Sequence, residues 1–425
     1  MKLGYGNGSV EFDPPEAVGW RVLPPGSGAG DVSPGPGVVG RAVRDLAAQL
    51  DEAGLGPGAR LLLIVPDHTR RCRLEAVLPP LLAELERRHF APARILVANG
   101  THAALPEAAV RQLVTEEVFS RCSVAQHDDR DPASLVRIGE TSRGTPVVLN
   151  SAVAEADFIL TISGTLFHYF AGFGGGPKML LPGVASREAT LANHRRTIDP
   201  GTGRIVPECR EGNKATNPVW LDLAEALGLI PRVLSLHVVL DARGEIAWAE
   251  GGPVLPVHAR ACEEVRRLYG VPVARKADVV VASAGGHPAD VNLIQSHKSI
   301  HHAVQALKPG GCLILLARCS GGIGSASFMP YFEEKSAAGI ASRLLRDYQI
   351  NGHTALALRT KTEQATIVLV SDLDPAIVRS TGMVPARDLR EAWSLVSPRL
   401  PAGAAGYVIP TASVHVPFAR LQETP

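Results

Sequence analysis

The stretch from Gly164 to Arg195 brings together residue types that could do chemistry. It contains His168, three consecutive glycines at 174–176, Lys178 and His194. Histidine is the usual proton carrier and metal ligand near neutral pH, and a lysine can bind a phosphate or act as an amine nucleophile. Consecutive glycines let backbone amides approach a bound group closely. The stretch therefore predicts the floor of an active site; the alternative is a tight glycine turn with a solvent-exposed lysine.

Two nucleotide-binding signatures do not fit this glycine run. A P-loop needs Gly-Lys followed by Ser or Thr, whereas Pro177 precedes Lys178 and Met179 follows it. A dinucleotide G-x-G-x-x-G motif also fails, because Pro177 stands where the third glycine would be. Both signatures are therefore disfavoured, and what remains is a set of glycine amides beside a lysine.

Two further loops place polar residues directly after apolar runs. Asp67-His68-Thr69-Arg70 follows the run Arg60–Val65, and Asn99-Gly100-Thr101-His102 follows the run Arg94–Ala98. Because arginine grips phosphate and carboxylate groups in bidentate fashion, the first loop predicts an anion-binding group. The alternatives are a helix cap by Asp67 or Thr69 and a structural hydrogen bond for His102.

The elements that would position these loops alternate between strand and helix. A third apolar run, Asp157–Ile162, leads into the central stretch, and helical patterns at Leu74–Arg88 and Glu107–Leu113 lie between the runs. This alternation predicts an α/β fold with a mostly parallel sheet flanked by helices. Open sheets of this kind bind ligands beyond the carboxyl ends of their strands. We expect His194 on a helix that Ser186 opens.

A second alternating unit follows the segment Gly270–Lys276, which is the candidate domain boundary. Its predicted elements are strand Asp278–Ala282, a turn at Gly285-Gly286, helix Asn292–Leu307, strand Cys312–Ala317 and later strands at Ala355–Leu358, Thr366–Val370 and Tyr407–Ile409. Two domains are therefore expected, at 1–272 and 273–399, with the active site in the cleft between them. The tail 400–425 is a candidate for returning to the first domain.

Gln295 and Lys298 are the polar pair of interest in the second domain. They are three residues apart on the predicted helix, so they share one helix face near the glycine turn. From that face they could reach a ligand across a cleft. The alternative is an ordinary solvated helix face.

Composition limits the classes of function. The 425 residues carry a formal net charge of +1, with charged residues at 20% and no long blocks of one sign. This disfavours nucleic acid or a membrane surface as the main partner.

The six cysteines are scattered without C-x-x-C, which is typical of a reducing cytosol. No apolar run approaches the about 20 residues of a membrane span, and the first residues lack a signal peptide's apolar core, so a cytoplasmic protein is expected.

The ordered set of motifs resembles the nickel-pincer nucleotide-dependent lactate racemase family. Each motif is weakly specific alone, but their order and approximate spacing hold from about Asp67 to Lys298. The resemblance depends on the following motifs: Asp67-x-Thr69-Arg70, Gly100-Thr101-His102, His168 with Gly172-Phe173-Gly174-Gly175-Gly176-x-Lys178, His194, and Gly285-Gly286-x-Pro288-x-Asp290 with Gln295-x-x-Lys298.

The resemblance implies a cofactor, the nickel complex of pyridinium-3,5-bisthiocarboxylic acid mononucleotide. In the family a lysine, here Lys178, forms a thioamide link to this nucleotide, and a histidine, here His194, is the protein ligand of the metal. Square-planar coordination suits nickel(II). Further cofactor-binding residues implied by the resemblance are Asp67, Thr69, Gly174, Gly175 and Gly176. Cofactor-maturation proteins are the implied partners, and the oligomeric state is left open.

The resemblance also implies a reaction, inversion of the α-carbon of a 2-hydroxy acid. Hydride passes reversibly from the substrate to the cofactor, and a planar 2-oxo acid is the intermediate. His102 and His168 would be the two general acid/bases, and Arg70 would hold the substrate carboxylate with Gln295 and Lys298 assisting. The protein would position the substrate and tune the cofactor, while the cofactor would accept the hydride, which is the difficult step.

The substrate is the part of this hypothesis that departs from the family. Ile294 stands where the lactate enzyme carries a tyrosine, and histidines are dense nearby at 68, 297, 301 and 302. A larger or more polar acid than lactate, such as an aldonate, is therefore expected. Two alternatives are an NAD-dependent 2-hydroxy acid dehydrogenase and a non-catalytic nucleotide-binding protein.

Overall fold

The computed structural model describes residues 1–23, 37–56, 58–91 and 93–419, and the chain divides into two compact units. Unit A comprises Ala29–Arg196 and Glu208–Arg266, and unit B comprises Met1–Gly28, Thr197–Pro207 and Arg267–Pro425. Each unit is described by itself.

The chain opens with three short strands of unit B. These are β1 (Lys2–Tyr5), β2 (Gly8–Glu11) and β3 (Gly19–Val22). β1 and β2 form an antiparallel hairpin in which Leu3 pairs with Val10. Leu3 and Phe12 are buried, so the hairpin contributes apolar side chains to the core of unit B.

Unit A follows, with strands and helices in alternation. Its strands are β4 (Leu61–Pro66), β5 (Arg94–Ala98), β6 (Ser123–Gln126), β7 (Leu135–Glu140), β8 (Pro146–Asn150), β9 (Phe158–Gly164), β10 (Phe167–His168), β11 (Gly172–Phe173), β12 (Val233–Leu240) and β13 (Ile246–Pro253). Its helices are α1 (Val38–Glu52), α2 (Leu74–Arg87), α3 (Glu107–Val114), α4 (Glu116–Arg121), α5 (Ser151–Glu155), α6 (Arg187–His194), α7 (Pro218–Gly228) and α8 (Val254–Tyr269).

The described strands of unit A include a six-stranded sheet in the order β13-β12-β9-β4-β5-β6. All neighbours are parallel except β12 and β13, so the predicted mostly parallel sheet is confirmed. One sheet face is apolar and packs against α1 and α2; its core includes Leu46, Leu78, Leu160 and Leu236. A helix can bury such a stripe because its apolar residues recur about every 3.6 residues.

The opposite face of β9 and β12 is polar and also buried. Thr161 pairs with Ser235 and Ser163 pairs with His237, so these four side chains point to the same side of the sheet. All four are almost completely shielded from solvent. This face lies under the segment that carries Lys178, since β9 contacts the short 3-10 helix Gly176–Met179.

The rest of unit B contains a second parallel sheet. The strands in this part of the unit are β14 (Gly270–Val273), β15 (Ala277–Ser283), β16 (Leu307–Leu316), β17 (Thr366–Val370), β18 (Val384–Ala386), β19 (Ala405–Ile409) and β20 (Val416–Ala419); β14 and β20 form a separate two-stranded sheet. Its helices are α9 (Leu293–Ala303), α10 (Ala337–Arg346), α11 (Gly352–Gln364), α12 (Pro375–Ser380) and α13 (Leu389–Val396). The strand order in the described part is β18-β17-β16-β15-β19-β3, with every neighbouring pair parallel.

One predicted strand is wrong. Ala355–Leu358 lies inside helix α11, and residues 352–359 are all buried. A helix buried on every side shows no 3.6-residue alternation, so a short apolar run within it cannot be told from a buried strand.

The compact units also differ from the expected domain ranges. β19, within the tail 400–425, pairs with β15, so this part of the tail completes the second sheet and does not return to the first domain; residues 420–425 lie outside the described residues. The N-terminal strand β3 pairs with β19 and so belongs to unit B as well. Main-chain pairing between distant segments decides both assignments, and it has no local sequence pattern.

Candidate active site

The polar loops predicted to meet at a sheet edge do follow neighbouring strands. β4 lies between β5 and β9, with Pro66 paired to Ala98 and Ile64 paired to Thr161. Because the three strands are parallel and in register, the residues that follow them emerge at the same edge. The backbone N–H of Gly100 also donates to the carbonyl of Gly183, at 2.9 Å. The His102 loop is thereby attached to the segment that follows Lys178.

Asp67 and His102 form a hydrogen-bonded pair. The Nδ1 of His102 lies 2.6 Å from Oδ2 of Asp67, and the hydroxyl and backbone N–H of Thr69 donate to Oδ1. Asp67 is buried while His102 is half exposed. Burial alone would raise the pKa of Asp67, but the hydrogen bonds from His102 and Thr69 and the nearby positive charge of Arg70 lower it overall. The ionised carboxylate holds the proton on Nδ1, so Nε2 of a neutral His102 is the atom available for proton transfer.

Arg70 connects this pair to the central stretch electrostatically. Its Nη1 donates to Oγ1 of Thr69 at 2.9 Å, and the side chain is exposed. Its charge lowers the pKa of both Asp67 and Lys178. An exposed guanidinium beside these groups is suited to binding a small carboxylate.

The glycine run shapes the backbone that presents Lys178. Gly175 and Gly176 have φ angles of 74° and 60°, which residues with a side chain adopt only at a cost. A Cβ on Gly175 would lie 2.9 Å from the carbonyl oxygen of Gly164, and one on Gly176 would lie 2.7 Å from Cδ2 of His258. Pro177 stands in the first turn of the 3-10 helix Gly176–Met179, where its missing N–H and fixed φ are tolerated. The glycines therefore allow the segment to lie directly on the polar face of the sheet.

Lys178 and His168 share one proton. The backbone N–H of Ala171 donates to Nδ1 of His168 at 3.2 Å, so the neutral ring carries its proton on Nε2. That Nε2 lies 3.2 Å from Nζ of Lys178, and it can donate to the amine only if the amine is unprotonated. Burial and the charge of Arg70 lower the pKa of Lys178 to about 7, which agrees with this arrangement. Lys178 is thus a candidate amine nucleophile.

The ring of Phe170 lies close to three residues of the central stretch, Lys178, His168 and His194. Its ring centroid lies 5.1 Å from Nζ of Lys178, 4.5 Å from the ring of His168 and 4.9 Å from the ring of His194. His194 ends α6, which Ser186 caps through a hydrogen bond to Ala189, as expected. The sequence reasoning did not single out Phe170, although its place between His168 and the glycine run was a signal.

His258 supports the glycine run from below. Its Nε2 donates to the carbonyl of Gly174 at 2.9 Å, and its ring stacks on Trp220 with centroids 4.7 Å apart. Burial, with a smaller effect from the charge of Lys214, lowers the pKa of His258 to about 3, so the ring is neutral. His258 stands on α8, far along the chain from the glycines, and no sequence pattern pointed to it.

The predicted residues of unit B lie on and beside α9. Nζ of Lys298 donates to Oε1 of Gln295 at 2.8 Å, so the two share one helix face as expected; their part in substrate binding stays a prediction. Asp290 has a structural partner: its Oδ2 accepts from the backbone N–H groups of Gly6 and Arg318, at 2.6 Å and 3.1 Å. This carboxylate fastens the N-terminal hairpin to the glycine turn.

The described residues contain no metal-binding group of three side chains, no disulfide and no membrane-spanning helix. No three His, Cys, Asp or Glu side chains there converge as a metal-binding group. All six cysteines are described and are free thiols. Helices within residues 1–23, 37–56, 58–91 and 93–419 are too short or too polar to cross a membrane.

Two family models match the chain. The lactate racemase N-terminal domain matches residues 5–204, and the lactate racemase C-terminal domain matches residues 273–416. The chain belongs to the lactate racemase family. A lactate racemase of Lactiplantibacillus plantarum is 30% identical over 368 residues, covering 82% of this chain and 83% of that protein. The lactate racemase of Thermoanaerobacterium thermosaccharolyticum is 28% identical over 404 residues, 93% of each chain.

Solved structures agree with this family assignment. The lactate racemase apoprotein from Thermoanaerobacterium thermosaccharolyticum matches with a TM-score of 0.87 at 28% identity, covering 98% of this chain and 99% of that one. A Thermotoga maritima protein matches with a TM-score of 0.66 at 17% identity, covering 90% and 98%, which shows a shared fold alone. The predicted family and the two-domain α/β fold are confirmed. Because lactate racemases are isomerases, this member of the lactate racemase family is placed among the isomerases.

Proposed function

We propose that this protein inverts the α-carbon of a 2-hydroxy acid by reversible hydride transfer, with a 2-oxo acid as the intermediate. The observation that carries the proposal is the convergence around Phe170 of His168, Lys178 and His194. The Asp67–His102 pair supports it, because the Arg70 charge acts on both Asp67 and Lys178.

The residues present fit the nickel-pincer nucleotide that the family uses. Lys178 offers an amine whose pKa is about 7, so a large share is unprotonated near neutral pH and able to form a thioamide link. His194 is a buried imidazole that contacts the same phenylalanine ring as Lys178, which suits a single protein ligand for nickel. Asp67, Thr69 and Gly174–Gly176 are proposed to contact the nucleotide. When bound, the group supplies the hydride acceptor that no amino-acid side chain provides.

The two histidines are proposed to handle the hydroxyl proton. His102 has Nδ1 held on Asp67, so Nε2 can take the proton as the hydroxyl becomes a carbonyl. His168 is proposed as the corresponding group for the opposite enantiomer. In the apo chain its single lone pair, on Nδ1, accepts from the backbone N–H of Ala171, so for His168 to take up a proton this hydrogen bond must be exchanged. One ring is neutral and the other protonated, and they exchange roles when the direction reverses. Arg70 would bind the substrate carboxylate through paired N–H donors.

We propose a substrate larger or more polar than lactate, such as an aldonate. The support is Ile294, which is only partly buried; by the family resemblance, the lactate enzyme carries a tyrosine at this position. Replacing a phenol by an aliphatic side chain removes both a hydroxyl partner and ring volume. The curated relatives are named lactate racemases, so lactate belongs in every substrate test.

The decisive experiment uses holo-protein matured with the cofactor-building enzymes. Lactate, malate, phenyllactate and aldonates, each deuterated at the α-carbon, are incubated in ordinary water and the opposite stereoisomer is isolated. Hydride transfer predicts inversion with the deuterium retained and one nickel per active chain. Loss of the deuterium to water would contradict it, because that result requires removal of the α-hydrogen as a proton.

Variants separate this proposal from its rivals. His102→Ala and His168→Ala should each lower kcat by about 10²–10⁴ while the bound cofactor remains. The control is His89→Asn, a change at an exposed histidine with a φ of 61°, which asparagine tolerates. Consumption of free NAD with net oxidation would indicate a dehydrogenase, and cofactor binding without turnover of any acid would indicate a binding protein.

A further inference from the structure

Behind His194 lies a buried polar network that neither the sequence motifs nor the proposed reaction uses. The residue before it, Asn193, is completely buried. Oδ1 of Asn193 lies 3.2 Å from Nδ1 of His194. Neighbouring residues of a helix do not normally face each other. A side-chain hydrogen bond between them at the last residue of α6 is therefore a specific arrangement.

The orientation of the Asn193 amide follows from its other partners. Its Nδ2 donates to Oδ2 of Asp222 at 2.8 Å and to the carbonyl oxygen of Val219 at 3.2 Å. Both partners can only accept a hydrogen bond. Turning the amide over would place its oxygen against a carboxylate and a carbonyl, which is repulsive in a buried site. Oδ1 must therefore face His194.

This orientation determines the tautomer of His194. Because an amide oxygen only accepts, the proton must be on Nδ1 of His194. The lone pair of the neutral ring is then on Nε2, and a metal-binding histidine commonly has its other nitrogen held in this way.

Asp222 is itself held firmly. It is completely buried; Oγ1 of Thr141 donates to Oδ1 at 2.7 Å, Oγ1 of Thr145 donates to Oδ2 at 2.8 Å, and Nε of Arg196 lies 3.2 Å from Oδ2. A buried carboxylate is stable only with such partners. The network joins α6, α7 and the turn between β7 and β8, so the amide of Asn193 cannot rotate without breaking buried hydrogen bonds.

We propose that Asn193, held by Asp222, is a positioning residue that presents Nε2 of His194 as the metal-binding atom. This inference rests on the proposed role of His194 as the nickel ligand. The alternative is that the network only ties three elements of unit A together. Partners of this kind typically contribute a factor of about 10–100 to metal affinity, so their loss should accelerate cofactor release by a comparable factor.

The first test measures the tautomer in the full-length apo chain. Histidine labelled with 15N distinguishes a protonated from an unprotonated ring nitrogen by NMR, and the signals of His194 are those that disappear in His194→Gln. The wild-type chain should show a proton on Nδ1, and Asn193→Ala should show a mixture of both tautomers. The control is Thr141→Val, which removes a hydrogen bond to Asp222 but leaves both contacts of Asn193 with Asp222 and His194, and it should keep the wild-type tautomer.

The second test measures nickel release from holo-protein into a chelator. Asn193→Ala should release nickel about 10–100 times faster than the wild type, and Thr141→Val should match the wild type. An unchanged tautomer and release rate in Asn193→Ala would overturn the inference. If that variant does not fold, a wild-type His194 protonated on Nε2 would overturn it alone.

The same measurements separate this inference from the proposed function. If His194→Gln holds nickel as firmly as the wild type, the proposed ligand itself is wrong, whatever the tautomer. If His194→Gln loses nickel while Asn193→Ala behaves as the wild type does, His194 remains the ligand and only the positioning role of Asn193 is excluded.

Discussion

Nε2 of His168 and Nζ of Lys178 lie 3.2 Å apart, and the hydrogen bond between them accommodates a single proton. Because the backbone N–H of Ala171 occupies Nδ1 of His168, that proton belongs to the imidazole of a neutral ring. The amine must then accept it. A lysine that accepts a hydrogen bond is unusual at neutral pH, and here it marks the side chain expected to carry the cofactor.

The first prediction concerns the reactivity of this amine. Burial and the Arg70 charge lower the pKa of Lys178 to about 7, so the amine is protonated below that pH and nucleophilic above it. In the apo chain, its rate of acylation by a small amine reagent should rise to a plateau with a midpoint near pH 7, as followed by peptide mass spectrometry. The reference peptide is the one with the exposed Lys335. A Lys178 rate that still rises at pH 9 would contradict the prediction.

The second prediction concerns the buried carboxylate of Asp67. Asp67→Asn weakens the hydrogen bonds from His102 and Thr69, and charged hydrogen bonds contribute about 1.5–3 kcal/mol each at most. We expect a loss of about 1–3 kcal/mol in the free energy of unfolding of the apo chain at pH 7, together with a lower kcat. The control is Asp45→Asn, at an exposed position of α1.

The pH dependence of this loss has a defined sign. The pKa of Asp67 is lowered by folding, so its stabilisation is fully present above the unfolded value of about 3.9 and disappears as the pH falls through the folded value. The difference between wild type and Asp67→Asn, measured by urea unfolding, should therefore shrink below about pH 4. A difference that grew on acidification would show that the carboxylate is not stabilised as described.

The third prediction compares two neighbouring glycines. Gly176→Ala forces a side chain into a φ of 60° and a Cβ to 2.7 Å from His258, so it should destabilise the apo chain by about 1–3 kcal/mol. Gly174→Ala meets its nearest atom at 3.8 Å, without a positive φ. There the loss of freedom in the unfolded chain should leave stability unchanged or raise it by about 0.4–1 kcal/mol. Thermal unfolding of both variants checks the opposite signs, and equal destabilisation would rule out the proposed packing on His258.

The fourth prediction concerns His258 and acid. Burial lowers the pKa of His258 to about 3, so between this value and the unfolded pKa of about 6.5 the unfolded chain binds a proton that the folded chain does not. The contribution of neutral His258 to the free energy of unfolding is therefore fully present well above pH 6.5 and decreases on acidification. At pH 5 the free energy of unfolding should be lower by roughly 2 kcal/mol from this residue alone.

His258→Gln tests this assignment. The glutamine amide can still donate to the carbonyl of Gly174 but does not titrate, so the melting temperature should change less between pH 7 and pH 5 than in the wild type. His237, whose pKa is lowered well below its ordinary value by burial first and by His258 second, is present in both proteins and remains buried in both. An unchanged pH dependence in His258→Gln would contradict the prediction.

The sequence was sufficient for the features that depend on local pattern. Strand Arg94–Ala98 was predicted with its observed bounds, and the rule that parallel strands end at one edge correctly grouped the loops at Asp67 and Asn99. Contacts between distant residues had no such signal. Nothing in the sequence joins Asp67 to His102, or His258 to Gly174, because each pair meets only after the sheet has formed.

The resemblance to a known family indicated residue roles that hydrophobic periodicity and local motifs could not indicate. Periodicity failed at α11, where burial on all sides removes the alternation that separates helix from strand. The roles of Lys178 and His194 came only from the ordered motifs, since a lysine after glycines and a histidine on a helix are ordinary features when taken singly. The orienting role of Asn193 depends on the direction of an amide group, which no sequence pattern indicates.

The pairing of β3 with β19 also has a consequence for synthesis on the ribosome. Gly19 is translated long before its partner Ala405. The sheet strands of unit A are all encoded before residue 266, so that unit can acquire its structure while translation continues. The edge strand β3 of unit B must instead wait for β19, and a nascent chain that does not yet include Ala405 leaves β3 without its neighbour.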